Sequence, residues 1–343
     1  MDRRGLLRLG AIGLVTLVAG PVIAACGSSS SSDSGGSSGE MAYQLSWIKN
    51  FQFAGEYIAD SEKYYEDAGL KVDLLAGGPS IAVDAVAESG KALVTQSSPD
   101  FTANAVAAGA DLKIIGASYQ RSPFSIISMK NPIRTPADLA GKKIGIQAVN
   151  QVAWDAFLKI NNIDPSTITQ VPVQHDLTPL VSGEVDGFWG YSNDDAVQLR
   201  EQGNDITVMM LADFGYSLPT GTYTVRADTL TDPDKRAKVV AFMKADIRGW
   251  QDAIANPEQG AKLAVDVYGK DNGLNLDGQT ASCVASNDLM VTDETRANGL
   301  FTMSPALRAE SLKTLAAGGI TASEDLFDMS ILDEIYATGP TVS

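Results

Sequence analysis

Six short stretches of the chain mix flat aromatic rings with amides and carboxylates. The first holds Trp47, Asn50, Phe51, Gln52, Phe53 and Glu56, and the second Gln96, Ser97, Ser98, Pro99 and Asp100. Next come Ser118, Tyr119, Gln120 and Arg121, then Gln147, Asn150, Gln151 and Trp154. The last two are Trp189, Tyr191, Ser192, Asn193 and Asp194, and Asp213, Phe214, Tyr216 and Thr220. Such a mixture suits a planar ligand bearing N–H donors, because rings stack on its faces and a carboxylate accepts from an exocyclic amine. Arg121 is the only arginine in the set, whereas a nitrate, sulfate or sulfonate would call for more donors, some of which helix N-termini can supply. Each aromatic can equally be core or rim packing, and Glu56, Asp194 and Asp213 can be helix-start carboxylates favoured by the macrodipole. The residues expected to touch ligand are Trp47, Asn50, Phe53, Glu56, Ser97, Ser98, Asp100, Tyr119, Gln147, Trp189, Tyr191, Asn193, Asp194 and Asp213. Catalytic chemistry has no comparable basis. There is no Walker phosphate loop, no zinc-like Cys/His spacing and no Ser/His/Asp signature. The single histidine, His175, reads as a helix-start residue, and neither a metal nor a cofactor is expected.

These stretches fall between alternating strand and helix patterns, where an α/β sheet presents its ligand loops. Strands are predicted over 43–47, 71–75, 92–95 and 113–117, with helices over 55–65, 80–88 and 100–108. An apolar alternating run, 124–129, ends this first unit at the turn Lys130-Asn131-Pro132. The rhythm restarts at Thr135, an N-cap with Pro136 behind it. Strands over 143–146, 168–173, 187–189 and 206–210 then alternate with helices over 152–160 and 177–182. The remainder is helical, over 233–255, 257–268, 277–287, 305–317 and 330–336, and is expected to pack back on the first unit. The expected fold class is α/β, with two lobes, each a mostly parallel sheet flanked by helices, and a ligand cleft between them. The lobes are placed at 41–129 plus 223–343 and at 130–222.

The N-terminus points to export. Arg3-Arg4 and Arg8 form a basic start, and the apolar stretch that follows is too short and glycine-interrupted for a span of about 20 residues. Val22-Ile23-Ala24-Ala25-Cys26 resembles a bacterial lipobox, so residues 1–25 read as a signal peptide and Cys26 as the lipidated first residue. Residues 26–40 are mostly Ser and Gly, a flexible tether. The chain of 343 residues carries a formal charge of −16, and loss of three arginines and one aspartate with residues 1–25 leaves −18. That charge argues against nucleic acid and against adhesion to anionic lipid, so membrane contact is expected only through the anchor. With Cys26 modified, Cys283 has no partner and reads as a buried small apolar residue.

Four motifs in order resemble one family. Trp47-Ile48-Lys49-Asn50-Phe51-Gln52-Phe53-Ala54-Gly55-Glu56-Tyr57 is similar to the opening of the thiamine-pyrimidine-precursor and riboflavin-type solute-binding proteins. These are relatives of the nitrate/sulfonate/taurine receptors of ABC importers. Tyr64-Tyr65-Glu66-Asp67-Ala68-Gly69-Leu70-Lys71-Val72 followed by Gly77-Gly78, Thr135-Pro136-Ala137-Asp138-Leu139-Ala140-Gly141-Lys142-Lys143, and Leu180-Val181-Ser182-Gly183-Glu184-Val185-Asp186-Gly187 resemble further shared segments. The resemblance implies a periplasmic-binding-protein-like fold that the chain crosses twice. It also implies a heteroaromatic solute such as a thiamine pyrimidine precursor, with a sulfonate, taurine, nitrate or riboflavin-like ligand as alternatives. The implied partners are an ABC permease and its ATPase, reached by a monomer on the outer face of the membrane. Pyrimidine-forming enzymes of the same superfamily carry Gly-Lys-x-Asp-x-Gly-x-Lys-x-x-x-His. Laid on Gly90-Lys91, their lysine and histidine fall on Ser97 and Phe101, and their cysteine cluster is missing, so no enzyme is expected.

Overall fold

The computed structural model describes residues 39–342, so the signal peptide, Cys26 and most of the tether lie outside the described residues. The strands are β1 (Glu40–Gln44), β2 (Lys71–Leu75), β3 (Val94–Ser97), β4 (Leu112–Tyr119), β5 (Phe124–Ser128), β6 (Lys143–Ile146), β7 (Thr169–Pro172), β8 (Gly187–Tyr191), β9 (Thr207–Met210) and β10 (Thr220–Arg226). They form two five-stranded sheets, ordered β2-β1-β3-β10-β4 and β7-β6-β8-β5-β9.

Each sheet has one inverted strand, and the chain path explains it. β1 pairs parallel with β2 and β3, whereas β10 runs antiparallel to β3 and β4. In the second sheet β6 pairs parallel with β7 and β8, and β5 runs antiparallel to β8 and β9. β5 and β10 are the strands that directly follow a crossing between lobes. A chain that leaves one sheet at its cleft-facing end and enters the other at the same end must then run away from the cleft. The first boundary therefore differs from expectation. Phe124–Ser128, assigned by rhythm to the first lobe, lies inside the second sheet, and the crossings fall at 120–123 and 211–219.

Local signals account for several element ends. Asp232 accepts from the backbone N–H of Asp234 and Lys235 ahead of Pro233, starting the 23-residue helix Pro233–Ala255. This helix crosses Ala54–Ser61 so closely that a Cβ on Gly55 would lie 2.2 Å from the Trp250 ring, and one on Gly249 2.2 Å from the Gly55 carbonyl oxygen. Glycine at both positions permits the contact. The Thr135 cap forms its box with Asp138, but it starts only the 3-10 turn Pro136–Leu139.

The helical tail divides between lobes instead of returning wholly to the first. Pro233–Ala255 and Pro257–Leu263 pack on the helix Ala54–Ser61. Pro305–Gly318 instead packs on Gln151–Ile160 of the second lobe, where Leu315 shares a core with Trp154 and Phe157. That core also contains Ala103, Ile114 and Ala117 of the first lobe, so apolar packing runs from one sheet to the other. No described helix is long and apolar enough to cross a membrane.

Candidate functional site

The loop after β1 carries Trp47 and the 3-10 turn Phe51–Phe53. Asn50 caps that turn, its side-chain oxygen accepting from the Gln52 N–H at 3.0 Å. The Phe51 N–H donates to Gln279 of the tail at 2.7 Å, which holds the loop against the helix Leu276–Met290. Trp47 and Gln52 face residues of the second lobe across a chamber of about 40 Å³. The far wall is made by Gln147 and Asn150 after β6, Trp189 and Tyr191 of β8, and Asp194 and Asp195 where the next helix starts. Trp47, Gln52, Asn150 and Tyr191 also line a second chamber of about 50 Å³, toward Gln96, Ser97, Ser98, Tyr119 and Thr220. Each chamber has room for about one or two waters. The lobes must part to admit a heteroaromatic ring.

Polar groups of the first chamber are ordered before any ligand arrives. Asn150 donates to the Gln147 side-chain oxygen at 3.0 Å, and the Gln147 amide donates to the Trp189 carbonyl at 3.1 Å. Asp194 accepts from Asn50 at 3.2 Å and from Gln52 at 3.4 Å, tying the lobes together. Burial, reinforced by the neighbouring Asp195, pushes the Asp194 carboxyl well above the usual range. Burial also raises Asp195, against the opposing pull of His175 and of the Tyr191 N–H, which it accepts at 2.8 Å. His175 Nδ1 lies 3.8 Å from Asp195, and its ring meets Trp47 edge-on, with centroids 5.4 Å apart. Among the described residues, no lysine or arginine lines either chamber. Three buried polar atoms on the walls have no protein partner: Trp189 Nε1, Gln96 Nε2 and Thr220 Oγ1. Buried polar groups left unpaired cost about 1–3 kcal/mol each, so they are open to a ligand.

Several expected contacts point elsewhere. Glu56 is wholly buried inside the first lobe, where it accepts from Tyr43 at 3.4 Å. Phe53 packs in the same core against Tyr57. Phe53 ends the 3-10 turn and Glu56 stands in the first turn of the helix Ala54–Ser61, both with side chains in the core. Asp100 is wholly buried, accepting from Tyr216 at 2.6 Å and from Ser98. Asp213 is about half exposed and pairs with Arg121, joining the two crossing segments away from the chambers. Asn193 lines neither chamber; it donates to Ser286 of the tail at 2.8 Å and latches the lobes from the side. Ser97 and Ser98 line the second chamber, with hydroxyls donating to Asp84 and Asp100. Trp47, Tyr119, Gln147, Trp189, Tyr191 and Asp194 line the chambers directly, and Asn50 is held against Asp194. His175 and Asp195 were missed. The Asp194-Asp195 doublet close behind Trp189 was the available signal for Asp195, whereas nothing local marked His175.

The two sheets with a cleft between them are the periplasmic-binding-protein fold. The chain belongs to the NMT1/THI5-like family, whose sequence model matches residues 50–260. It is 27% identical over 234 residues to the riboflavin-binding protein RibY of Chloroflexus aurantiacus, a match covering 66% of this chain and 66% of that protein. The chain thus spans about two thirds of that relative's length. In fold it resembles the periplasmic aliphatic sulphonate binding protein SsuA of Escherichia coli, with TM-score 0.62 and 14% identity over 84% of this chain and 90% of that one. It also resembles the ligand-binding component of an ABC-type import system from Staphylococcus aureus, with TM-score 0.60 and 14% identity over 86% and 98%.

Proposed function

We propose that this protein captures a small heteroaromatic solute between its lobes, such as a thiamine pyrimidine precursor, and hands it to an ABC permease with its ATPase. It works outside the cell membrane, as a monomer held by lipid on Cys26. The observation that carries the ligand class is the first chamber. Two buried carboxyl groups, Asp194 and Asp195, line the chamber with the aromatic residues Trp47, Trp189 and Tyr191, the Trp189 N–H has no protein partner, and no lysine or arginine is among the lining residues. An N–H-bearing ring satisfies both the acceptors and the donor, whereas an anion would bring negative charge to buried carboxylates. A receptor is favoured over a catalyst because Ser97 donates to Asp84 where the enzymes carry lysine, and Phe101 stands where they carry histidine. A riboflavin-like ligand is the second reading, favoured by the named ligand of the Chloroflexus relative.

Thermal unfolding with 4-amino-5-hydroxymethyl-2-methylpyrimidine, riboflavin, taurine and nitrate tests this. Ligand at about 100 times its Kd stabilises by about 2.7 kcal/mol, which reads as a raised Tm. The expected result is a shift with a heteroaromatic compound alone. A shift confined to taurine or nitrate overturns the ligand class. Palmitate labelling of cells expressing the full chain, lost on Cys26→Ser, tests the anchor.

A further inference from the structure

Beside the second chamber runs a groove of about 450 Å³. Its first-lobe wall comes from the helices Val83–Glu88 and Pro99–Ala107, and its second-lobe wall from the turn Ala148–Asn150 and the helix Gln151–Ile160. The lining is mostly apolar: Ile81, Val83, Phe101, Ala105, Val149 and Val152. Asp84 and Asn104, two of its polar members, are engaged. Asp84 accepts from Ser97 at 2.7 Å and Thr102 at 2.8 Å, and Asn104 donates to the Asp100 carbonyl at 3.0 Å. Ile81 is 37% exposed there. Four of the apolar residues, Ile81, Val83, Phe101 and Val149, also line the second chamber, so groove and chamber share a wall. The chamber of about 50 Å³ offers the unpaired Gln96 amide and Thr220 hydroxyl, while the far larger groove offers hydrocarbon. Both lobes contribute to each.

We propose that the groove is a second subsite of the same binding site, occupied by an apolar body joined to the ligand's polar ring edge. The proposal rests on the heteroaromatic reading above and adds the shape of the ligand: polar at the inner end and hydrocarbon at the outer. The occupant is part of the same molecule because four residues line both spaces: the groove has the volume of an ordinary small-molecule site, while the unpaired donors that would fix a polar edge lie in the adjoining chamber. An apolar body against Ile81 and Phe101 on one lobe and Val149 and Val152 on the other would also brace the closed arrangement.

The test is calorimetric titration of the full-length protein with lumazine, alloxazine and lumichrome. These share one pyrimidinedione edge and add first a fused benzene ring, then two methyl groups. Each buried carbon contributes a factor of about four at most, so lumichrome is expected to bind at least about tenfold tighter than lumazine. Ala85→Asp and Ala148→Asp place a charge in the groove from opposite lobes, at exposed positions that line neither chamber. Each should abolish the gain and leave lumazine binding unchanged. Equal affinity for lumazine and lumichrome in the unaltered protein overturns the subsite, as does a gain that survives both substitutions, which would leave the groove to a second copy or a permease segment. Binding of none of the three while the aminopyrimidine still raises the Tm overturns the subsite; no shift with any heteroaromatic compound refutes the reading on which it rests.

Discussion

Asp246 lies wholly buried in the first lobe, on the helix that crosses behind β1. One carboxyl oxygen accepts from Tyr65 at 2.7 Å and the other from Tyr223 at 2.6 Å. Glu56, also wholly buried, is near enough for Asp246 to raise its proton affinity, and the other polar groups about the two acids are the hydroxyls of Tyr43, Tyr65 and Tyr223 and the Trp250 N–H. Burial pushes Asp246 up to about 7, against the two tyrosine hydrogen bonds, which lower it. An unfolded aspartate titrates near 3.9. Below about pH 4 both states hold the proton. Between about pH 4 and 7 the unfolded chain loses it while the folded chain keeps it, so stability falls as pH rises through this window and then levels. Three units at about 1.36 kcal/mol each make the loss about 4 kcal/mol. Asp246→Asn keeps the shape, since the amide accepts from one tyrosine and donates to the other, and it never ionises. Urea denaturation from pH 4 to pH 8 should therefore find variant and wild type close together at pH 4. The variant should be the more stable at pH 8, by up to about 4 kcal/mol. A difference that does not change with pH, or a variant less stable at pH 8, refutes the account.

Asp194→Asn preserves an acceptor for Asn50 and Gln52 but turns the other carboxyl oxygen into an amide donor. A ligand amine facing it loses its acceptor, and an unpaired buried polar group costs about 1–3 kcal/mol, so affinity for an aminopyrimidine should fall roughly tenfold or more by calorimetry, with the urea midpoint little changed. Thr220→Val replaces a buried hydroxyl without a protein partner by a methyl of the same shape. Stability should rise by about 1 kcal/mol while ligand affinity drops, and a less stable variant would show that the hydroxyl is already satisfied. Gly55→Ala drives a methyl to 2.2 Å from the Trp250 ring, and overpacking of this kind costs about 1–3 kcal/mol, read as a lower urea midpoint at unchanged slope.

Much of the fold was legible because its signals are local. The helix expected over 233–255, between Pro233 and the Asn256-Pro257 break, appears as Pro233–Ala255. The strand over 71–75 appears as Lys71–Leu75. The alternation of such elements, with aromatic and amide residues in the loops between, was enough to expect two α/β lobes with a cleft. Chemistry-bearing loops could be named for the same reason, since the residues that follow a strand are visible in order along the chain.

What the order of residues left open was decided by partners far away in the chain. The run 124–128 looks like the last strand of the first unit, yet its hydrogen bonds go to β8 and β9, and no local pattern records a sheet partner. Asn50, Gln52 and Glu56 sit within seven residues of each other. Docking of Pro233–Ala255 turned Glu56 into the core, and the facing lobe drew Asn50 and Gln52 to Asp194. His175 became a wall of the chamber only because its loop meets Trp47 across the lobes. Residue type and spacing determined which groups were available for binding; the packing of one lobe against the other, a sum of contacts distant in sequence, decided which of them face the cleft.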